Sequence, residues 1–462
     1  MNPSQRETQR QQRRVRREAE TADSLSMFNV LTGPQLLNAV EGHLPPHRER
    51  LYPPTTVLAM FVAQALSADG SCREAVNVAM TNRLIAGLEM GSADTGAYCK
   101  ARMRLPTECI SGVALAAGVA VAQDVPEHWL WRGRPVRLVD GATVNLPDTP
   151  ENQERYPQPR TQAKGLGFPQ MRVVALFCLA SASVLDAAIG PCEGKGGDEQ
   201  TLLRKCLDSL QNGDILIGDA FYATYFLLCA LLAGGVDGVF EQYGARRRST
   251  DFSKGEKLGV RDHIVVLEKP KKRPDWMSPE EYAQVPETIR VREMAVGGKI
   301  LVTTFLDPKD TPKRQVHALY RRRWNVELDL RNLKTTLGMG ELRCRTPAMA
   351  EKELWVYLLA YNLIRLVMAL SALLCDQLPR QLSFKHAVQV WLAWWRRGGD
   401  PEDGATVYGL LLFIGQPRVG LRPGRTEPRL IKRRHNRFGL LTEPREQARE
   451  RVLRDGHPPK LR

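Results

Sequence analysis

Three carboxylates stand in this sequence where a carboxylate needs a reason. Asp140 lies inside an apolar run, Leu138-Val139-Asp140-Gly141, and Asp219 closes another, Ile215-Leu216-Ile217-Gly218-Asp219. An ionised group in a buried strand is costly unless something pairs with it. An Arg, the free N–H groups of a following helix, or a hard divalent cation such as Mg²⁺, which selects oxygen ligands, would each serve. For either Asp alone all three partners stay open. The third carboxylate, Glu327, sits in a segment that reads as one helix from Pro312 to Leu337. With Tyr320 at zero and about 100° per residue, Arg323 falls at about −60°, Glu327 at about −20° and Lys334 at about −40°. Leu319, Val326, Leu330, Leu333 and Leu337 fall between about −80° and −140°, so the polar stripe borders the core stripe and can look into a cleft. Asp329 falls at about 180°, on the face expected to meet solvent. An Arg323–Glu327 ladder at i,i+4 spacing would be the plain alternative, but a Tyr on the same face argues against it.

The elements around these residues read as a mixed α/β protein. Residues 25–125 are helical in texture, with apolar Thr55–Leu66, a turn at Asp69-Gly70-Ser71, a helix capped by Ser71 that runs through Met80, and a basic helix from Thr95 to Arg104. Two helices with a short glycine turn suit a helix-turn-helix or a helical packing domain. After Pro126, Val136–Val144, Met171–Leu179 and Ala182–Ile189 read as strands. A helix from Asp198 to Leu210, a strand at Ile215–Gly218, a helix at Ala223–Ala233 and a strand at Val236–Glu241 follow. Three strands and then helix–strand–helix–strand describe a mixed sheet covered by helices. Residues 243–312 break that rhythm with basic loops at Arg246-Arg247-Arg248 and Lys269 to Pro274, and with strand-like runs joined by Gly297-Gly298; we read a β-rich insertion. Helices at Ala350–Leu374 and Ser383–Trp395 close the pattern.

The bulk numbers narrow the function. A chain of 462 residues exceeds one compact core. Its net charge of +15 favours a polyanionic partner, since each cation placed on a phosphate releases a counterion. The charge is concentrated at the ends, with 13 Lys/Arg against 5 Asp/Glu from Leu421 to Arg462, and 6 Arg against 3 Glu in residues 1–20. The nine Cys form no Cys-x-x-Cys pair, which speaks for reduced thiols in a cytoplasm and against a zinc site. No secretory signal is expected, and the apolar stretch Trp355–Leu374 holds Asn362 and Arg365, which makes a core helix of it rather than a membrane span.

Tyr320-x2-Arg323-x3-Glu327-x6-Lys334 resembles the signature of the DDE transposases of the insertion sequence 4 family. Leu138 to Thr143 is similar to that family's first-Asp strand, Leu216 to Tyr222 to its second-Asp motif, and Leu358 to Ile364 to the helix that follows. The resemblance spans roughly residues 25–375. Many relatives carry Asp-Arg-Gly after the second strand, whereas this chain has Asp219-Ala220-Phe221, so no Arg acts at position 220.

The resemblance implies an RNase H-like catalytic domain in which Asp140, Asp219 and Glu327 hold two Mg²⁺ ions, with Mn²⁺ a possible substitute. It implies cut-and-paste transposition: water nicks a transposon end, the freed 3′-hydroxyl makes a hairpin, and strand transfer into target DNA follows. Tyr320, Arg323 and Lys334 would contact DNA, and Trp276 of the insertion would stack on a base or pack within the protein. The partners would be terminal inverted repeats and target DNA, bound by a dimer on paired ends, with no membrane, in the nucleoid of a bacterial cytoplasm. On this reading residues 1–24 are a basic disordered tail and 25–130 a helical DNA-binding domain. Residues 131–378 form the catalytic domain, with its insertion at about 243–312, and 379–462 a helical, basic C-terminal region. A metal-dependent nuclease without strand transfer and a non-enzymatic DNA-binding protein are the competing readings; neither explains the Tyr320–Lys334 stripe and the three carboxylates together.

Overall fold

The computed structural model describes residues 51–457 apart from 86, 88–89, 124, 195, 243, 397–402 and 420–440. The tail 1–24, the expected start of the helical region at 25–50 and the basic run Lys432 to Arg437 lie outside the described residues. Among the described residues four helices come first: α1 (Pro54–Leu66), α2 (Cys72–Ile85), α3 (Gly96–Arg104) and α4 (Thr107–Gln123). Ser71 caps α2 as expected, its hydroxyl accepting the Glu74 N–H at 3.1 Å. The basic helix α3 does not offer all its cations to solvent. Arg102 is 6% exposed, with its guanidinium over the rings of Phe61 and Tyr98 at 4.6 and 5.0 Å.

Nine strands follow: β1 (Val136–Asn145), β2 (Gln170–Cys178), β3 (Val184–Pro191), β4 (Ile215–Ile217), β5 (Asp237–Glu241), β6 (Glu256–Gly259), β7 (Asp262–Glu268), β8 (Thr288–Val296) and β9 (Lys299–Thr303). They form one sheet in the order β3-β2-β1-β4-β5-β9-β8-β7-β6. β1 to β3 are an antiparallel meander, and β4 and β5 run parallel to β1. This 3-2-1-4-5 arrangement is RNase H-like. Alternate residues of the central strands feed two cores: Leu138, Val173, Phe177, Ile217 and Val239 on one face, Val139, Val174, Leu216 and Phe240 on the other. The expected β-rich insertion continues the sheet, with β9 pairing antiparallel to β5 and β8, β7 and β6 following outward. Arg246 to Arg248, read as a loop, belong to a short helix, Gly244–Ser249.

Further helices α5 (Glu199–Arg204), α6 (Tyr225–Ala233), α7 (Lys313–Arg321), α8 (Trp324–Arg331) and α9 (Pro347–Leu374) pack on the sheet, α10 (Phe384–Arg396) and α11 (Gly404–Gly415) pack on α9, and α12 (Arg445–Asp455) follows. α9 is long and apolar enough to cross a membrane by composition, yet 89% of its most apolar window is buried in the protein. Its polar groups are used internally. Asn362 accepts the Val184 N–H and donates to the carbonyls of Ala114 and Val184, all at 2.8–2.9 Å, which ties α4 to β3 through α9. Gly118 of α4 makes that approach possible, since a Cβ there would stand 1.7 Å from the Val184 oxygen.

Two expectations about the Glu327 segment need correction. It is not one helix from Pro312 to Leu337. The N–H groups of Arg322, Arg323, Asn325 and Val326 bond three residues back, to Leu319, Tyr320, Arg322 and Arg323, and this tightening separates α7 from α8. Residues Asn332–Thr336 then loosen into a π-helical turn. Nor does Asp329 face solvent. It is 1% exposed and lies 2.9 Å from both Arg365 of α9 and Arg380. The outer face of α8 is covered by later parts of the chain, which a helical wheel cannot reveal.

Candidate active site

Adjacent parallel strands deliver the two Asp residues. Leu138 of β1 pairs with Ile217 of β4, so Asp140, within β1, and Asp219, just past the end of β4, come side by side, each two residues on from that pair. Asp140 Oδ1 accepts the Gly141 N–H at 2.8 Å, and its side chain is 18% exposed. Burial pushes the Asp140 carboxyl up to about 6; the Gly141 hydrogen bond and Arg323 oppose the rise, and Asp219 and Glu199 add to it. Asp219 Oδ1 accepts the Phe221 N–H at 2.8 Å and caps the short turn Ala220–Tyr222. α8 packs against β1 and brings Glu327 to the same region. Arg323 stands between: its guanidinium lies 2.8 Å from Glu327 Oε1 and 3.7 Å from Asp140 Oδ2.

The i,i+4 pair of the plain ladder thus exists, but it faces the Asp residues rather than open solvent. Asp219, Tyr320 and Arg323 line one cleft of 520 Å³ together with Ala220, Glu241 and Arg248. Tyr320 is 4% exposed, its hydroxyl 3.5 Å from Glu241 Oε2, and Lys299 pairs with the same carboxylate. Among the described residues no group of three or more His, Cys, Asp or Glu side chains forms a metal cage. The donor chemistry nevertheless suits a hard cation: the donors are carboxylate oxygens, and Asp140 is held in a site that opposes its charge, with Arg323 as the partial offset.

Lys334 is half-buried on the π turn, past α8, and is not among the residues that line this cleft. Trp276 lies elsewhere. Arg204 sits 3.9 Å over its ring, Phe226 meets it edge-on at 6.0 Å, and it borders a separate, mainly apolar cavity of 740 Å³. Sequence reasoning gave no site role to Glu199, Tyr222, Glu241, Lys299, Arg248 or Trp324. Trp324 carried a signal: it follows Arg323 directly, and the structure leaves it 57% exposed beside Tyr320 and Arg323. The others are placed by contacts between elements, and their own segments give no hint of it.

Residues 131–363, half of the chain, match the family model of the transposase DDE domain. The chain belongs to the DDE transposases. It is thus a DNA-cleaving and DNA-transferring enzyme, and its relatives are transposases of insertion sequence elements. It is 28% identical over 348 residues to the transposase InsG for insertion sequence element IS4 of Escherichia coli (strain K12), covering 73% of this chain and 76% of that one. It is 32% identical over 76 residues to the putative transposase InsL for insertion sequence element IS186A of the same strain, covering 16% of this chain and 20% of that one. Among solved structures, a piggyBac transposase synaptic complex with hairpin DNA matches over 88% of both chains, at 10% identity and a TM-score of 0.44.

Proposed function

We propose that this transposase works by cut and paste, with Asp140, Asp219 and Glu327 as the carboxylates that hold two Mg²⁺ ions, or Mn²⁺ in their place. The observation that carries the reading is Arg323, within 4 Å of both Asp140 and Glu327 and on the wall of the cleft that holds Asp219. Divalent ions there would supply an activated water or 3′-hydroxyl and stabilise the leaving oxygen of the phosphodiester. The chain's own residues do the rest. Arg323 fixes the rotamer of Glu327 and stays close enough to neutralise a phosphate at the cut. Tyr320, its hydroxyl held by Glu241, lines the cleft wall and orients the backbone of the terminal nucleotide. Lys334 contacts a phosphate further along the same helical segment. Trp324, exposed in a neighbouring pocket that Tyr320 and Arg323 also line, suits stacking on a base, while Trp276 touches the transposon end only by way of the separate cavity it borders.

On this reading water nicks the transposon end, the freed 3′-hydroxyl attacks the opposite strand to give a hairpin, and the reopened end joins target DNA. A dimer on paired terminal inverted repeats, acting in the bacterial nucleoid, completes the proposal. The domain division stands with it: a basic tail at 1–24, a helical DNA-binding region at 25–130, the catalytic domain at 131–378 and a basic C-terminal region at 379–462. The test is an end-cleavage assay with Mg²⁺ on Asp140→Asn, Asp219→Asn and Glu327→Gln. Each should bind end DNA as the wild type does and cut none of it. Cleavage by all three would refute the assignment. Nicking without joining by the wild type would make the chain a nuclease.

A further inference from the structure

We infer that Glu199 is a positioning residue for Asp140, coupling the strand that carries Asp140 to the turn that carries Asp219. The inference rests on the carboxylate assignment proposed above. Glu199 opens α5, where Asp198 caps the helix by accepting the Thr201 N–H at 2.9 Å. Its carboxyl is seated against Gly141: a Cβ added there would stand 2.5 Å from Cδ and Oε1 of Glu199. Gly141 directly follows Asp140, and its N–H is the donor that Asp140 Oδ1 accepts. Whatever fixes the main chain at Gly141 therefore fixes the Asp140 carboxyl.

The other oxygen of Glu199 reaches the second motif. Oε2 accepts the Tyr222 hydroxyl at 3.1 Å. Tyr222 is 0% exposed, so its hydroxyl has no solvent to turn to and depends on this acceptor. Tyr222 ends the turn that Asp219 caps. Gln200, the next residue of α5, donates to the Phe221 carbonyl at 2.7 Å. Two successive side chains of α5 thus grip the Asp219 turn, and one of them also bears on Asp140-Gly141. A contact of this kind sets the spacing of two ligand strands and need not touch the metal or the DNA. Groups that orient metal-binding side chains typically change metal affinity about 10–100-fold when removed.

The experiment is Mn²⁺ binding to the full-length protein, followed by electron paramagnetic resonance, with nicking of end DNA measured across Mn²⁺ concentrations and folding checked by thermal unfolding. Glu199→Ala should lower Mn²⁺ affinity about 10–100-fold, and its slowed nicking should recover as Mn²⁺ is raised. Glu199→Gln keeps the bulk and the acceptor for Tyr222 and should restore affinity close to that of the wild type. Should Glu199→Ala fail to fold, Tyr222→Phe, which deletes one oxygen atom, carries the test and should lower the affinity in the same direction. Wild-type affinity in the folded Ala or Phe variant overturns the inference. So does a loss in Glu199→Gln as large as in Glu199→Ala, since charge and not placement would then be at work. Asp140→Asn is the control: if it binds Mn²⁺ as the wild type does, the carboxylate assignment itself fails.

Discussion

Replacing Asp140 by Asn should stabilise the metal-free protein at neutral pH while ending catalysis. Burial is the main reason that the Asp140 carboxyl rises from its ordinary 3.8 to about 6. A group with a raised pKa in the folded state binds more protons folded than unfolded across that interval, so stability falls as pH climbs through it. The wild type therefore loses stability between about pH 4 and pH 6 and carries the whole cost above pH 6. At about 1.4 kcal/mol per pH unit the cost is at most about 3 kcal/mol. Asn also frees Arg323 from one of its two carboxylate neighbours, so a gain of about 1–2 kcal/mol is expected in the variant. Thermal unfolding of both proteins with a chelator, from pH 4 to pH 8, reads it directly. The two midpoints should coincide near pH 4 and separate above it, with Asp140→Asn higher by roughly 1–2 °C above pH 6. Mg²⁺ should then raise the wild type toward or past the variant and leave the variant unmoved. An Asn variant no more stable than the wild type at pH 7.5, or an advantage that ignores pH, would refute the claim that Asp140 is held against its charge.

Arg323→Ala should slow cleavage, because it removes the group beside both Asp140 and Glu327, whereas Lys334→Ala should keep cleavage chemistry and metal binding and lose end binding and joining; parallel assays of metal affinity, end binding, nicking and joining separate them, and wild-type joining by Lys334→Ala would end its proposed role. DNA affinity should fall steeply between about 50 and 200 mM salt, and deletion of residues 421–462 should flatten that slope; an unchanged slope in a gel-shift titration would show that the tail makes no phosphate contact. Asp329→Ala should cost about 3–5 kcal/mol by stranding Arg365 and Arg380, read as a drop in the urea midpoint; a midpoint equal to the wild type would mean that the pair contributes nothing to seating α8.

Much of this protein is set by local pattern and was therefore legible from sequence. β-branched runs place the central strands, the Gly297-Gly298 turn places the β8–β9 hairpin, and the interruption of polar texture by Trp355–Leu374 marks a buried helix. The i,i+4 spacing of Arg323 and Glu327 raised the prospect of their contact, Tyr320 on the same face spoke against a ladder there, and the pair forms all the same. Asp140 and Asp219 stood out because each is a charge inside an apolar strand, but the sequence left open what pairs with them. Only the tertiary structure answers that: the parallel register of β1 and β4 sets the two side by side, Asp140 beside the guanidinium of Arg323 and Asp219 accepting the Phe221 N–H. Asp329 makes the same point in reverse: a wheel reports that it faces away from Glu327, not that α9 and Arg380 cover that face. The break between α7 and α8 depends on which carbonyl each N–H chooses, a difference between i−3 and i−4 that side-chain periodicity barely registers. Glu199 and Tyr222 were invisible for a third reason. Glu199 lies in a segment with no special pattern, Tyr222 lies in the second-Asp motif without a sign of its partner, and the importance of both comes from hydrogen bonding between a helix, a turn and a glycine that are far apart in the chain.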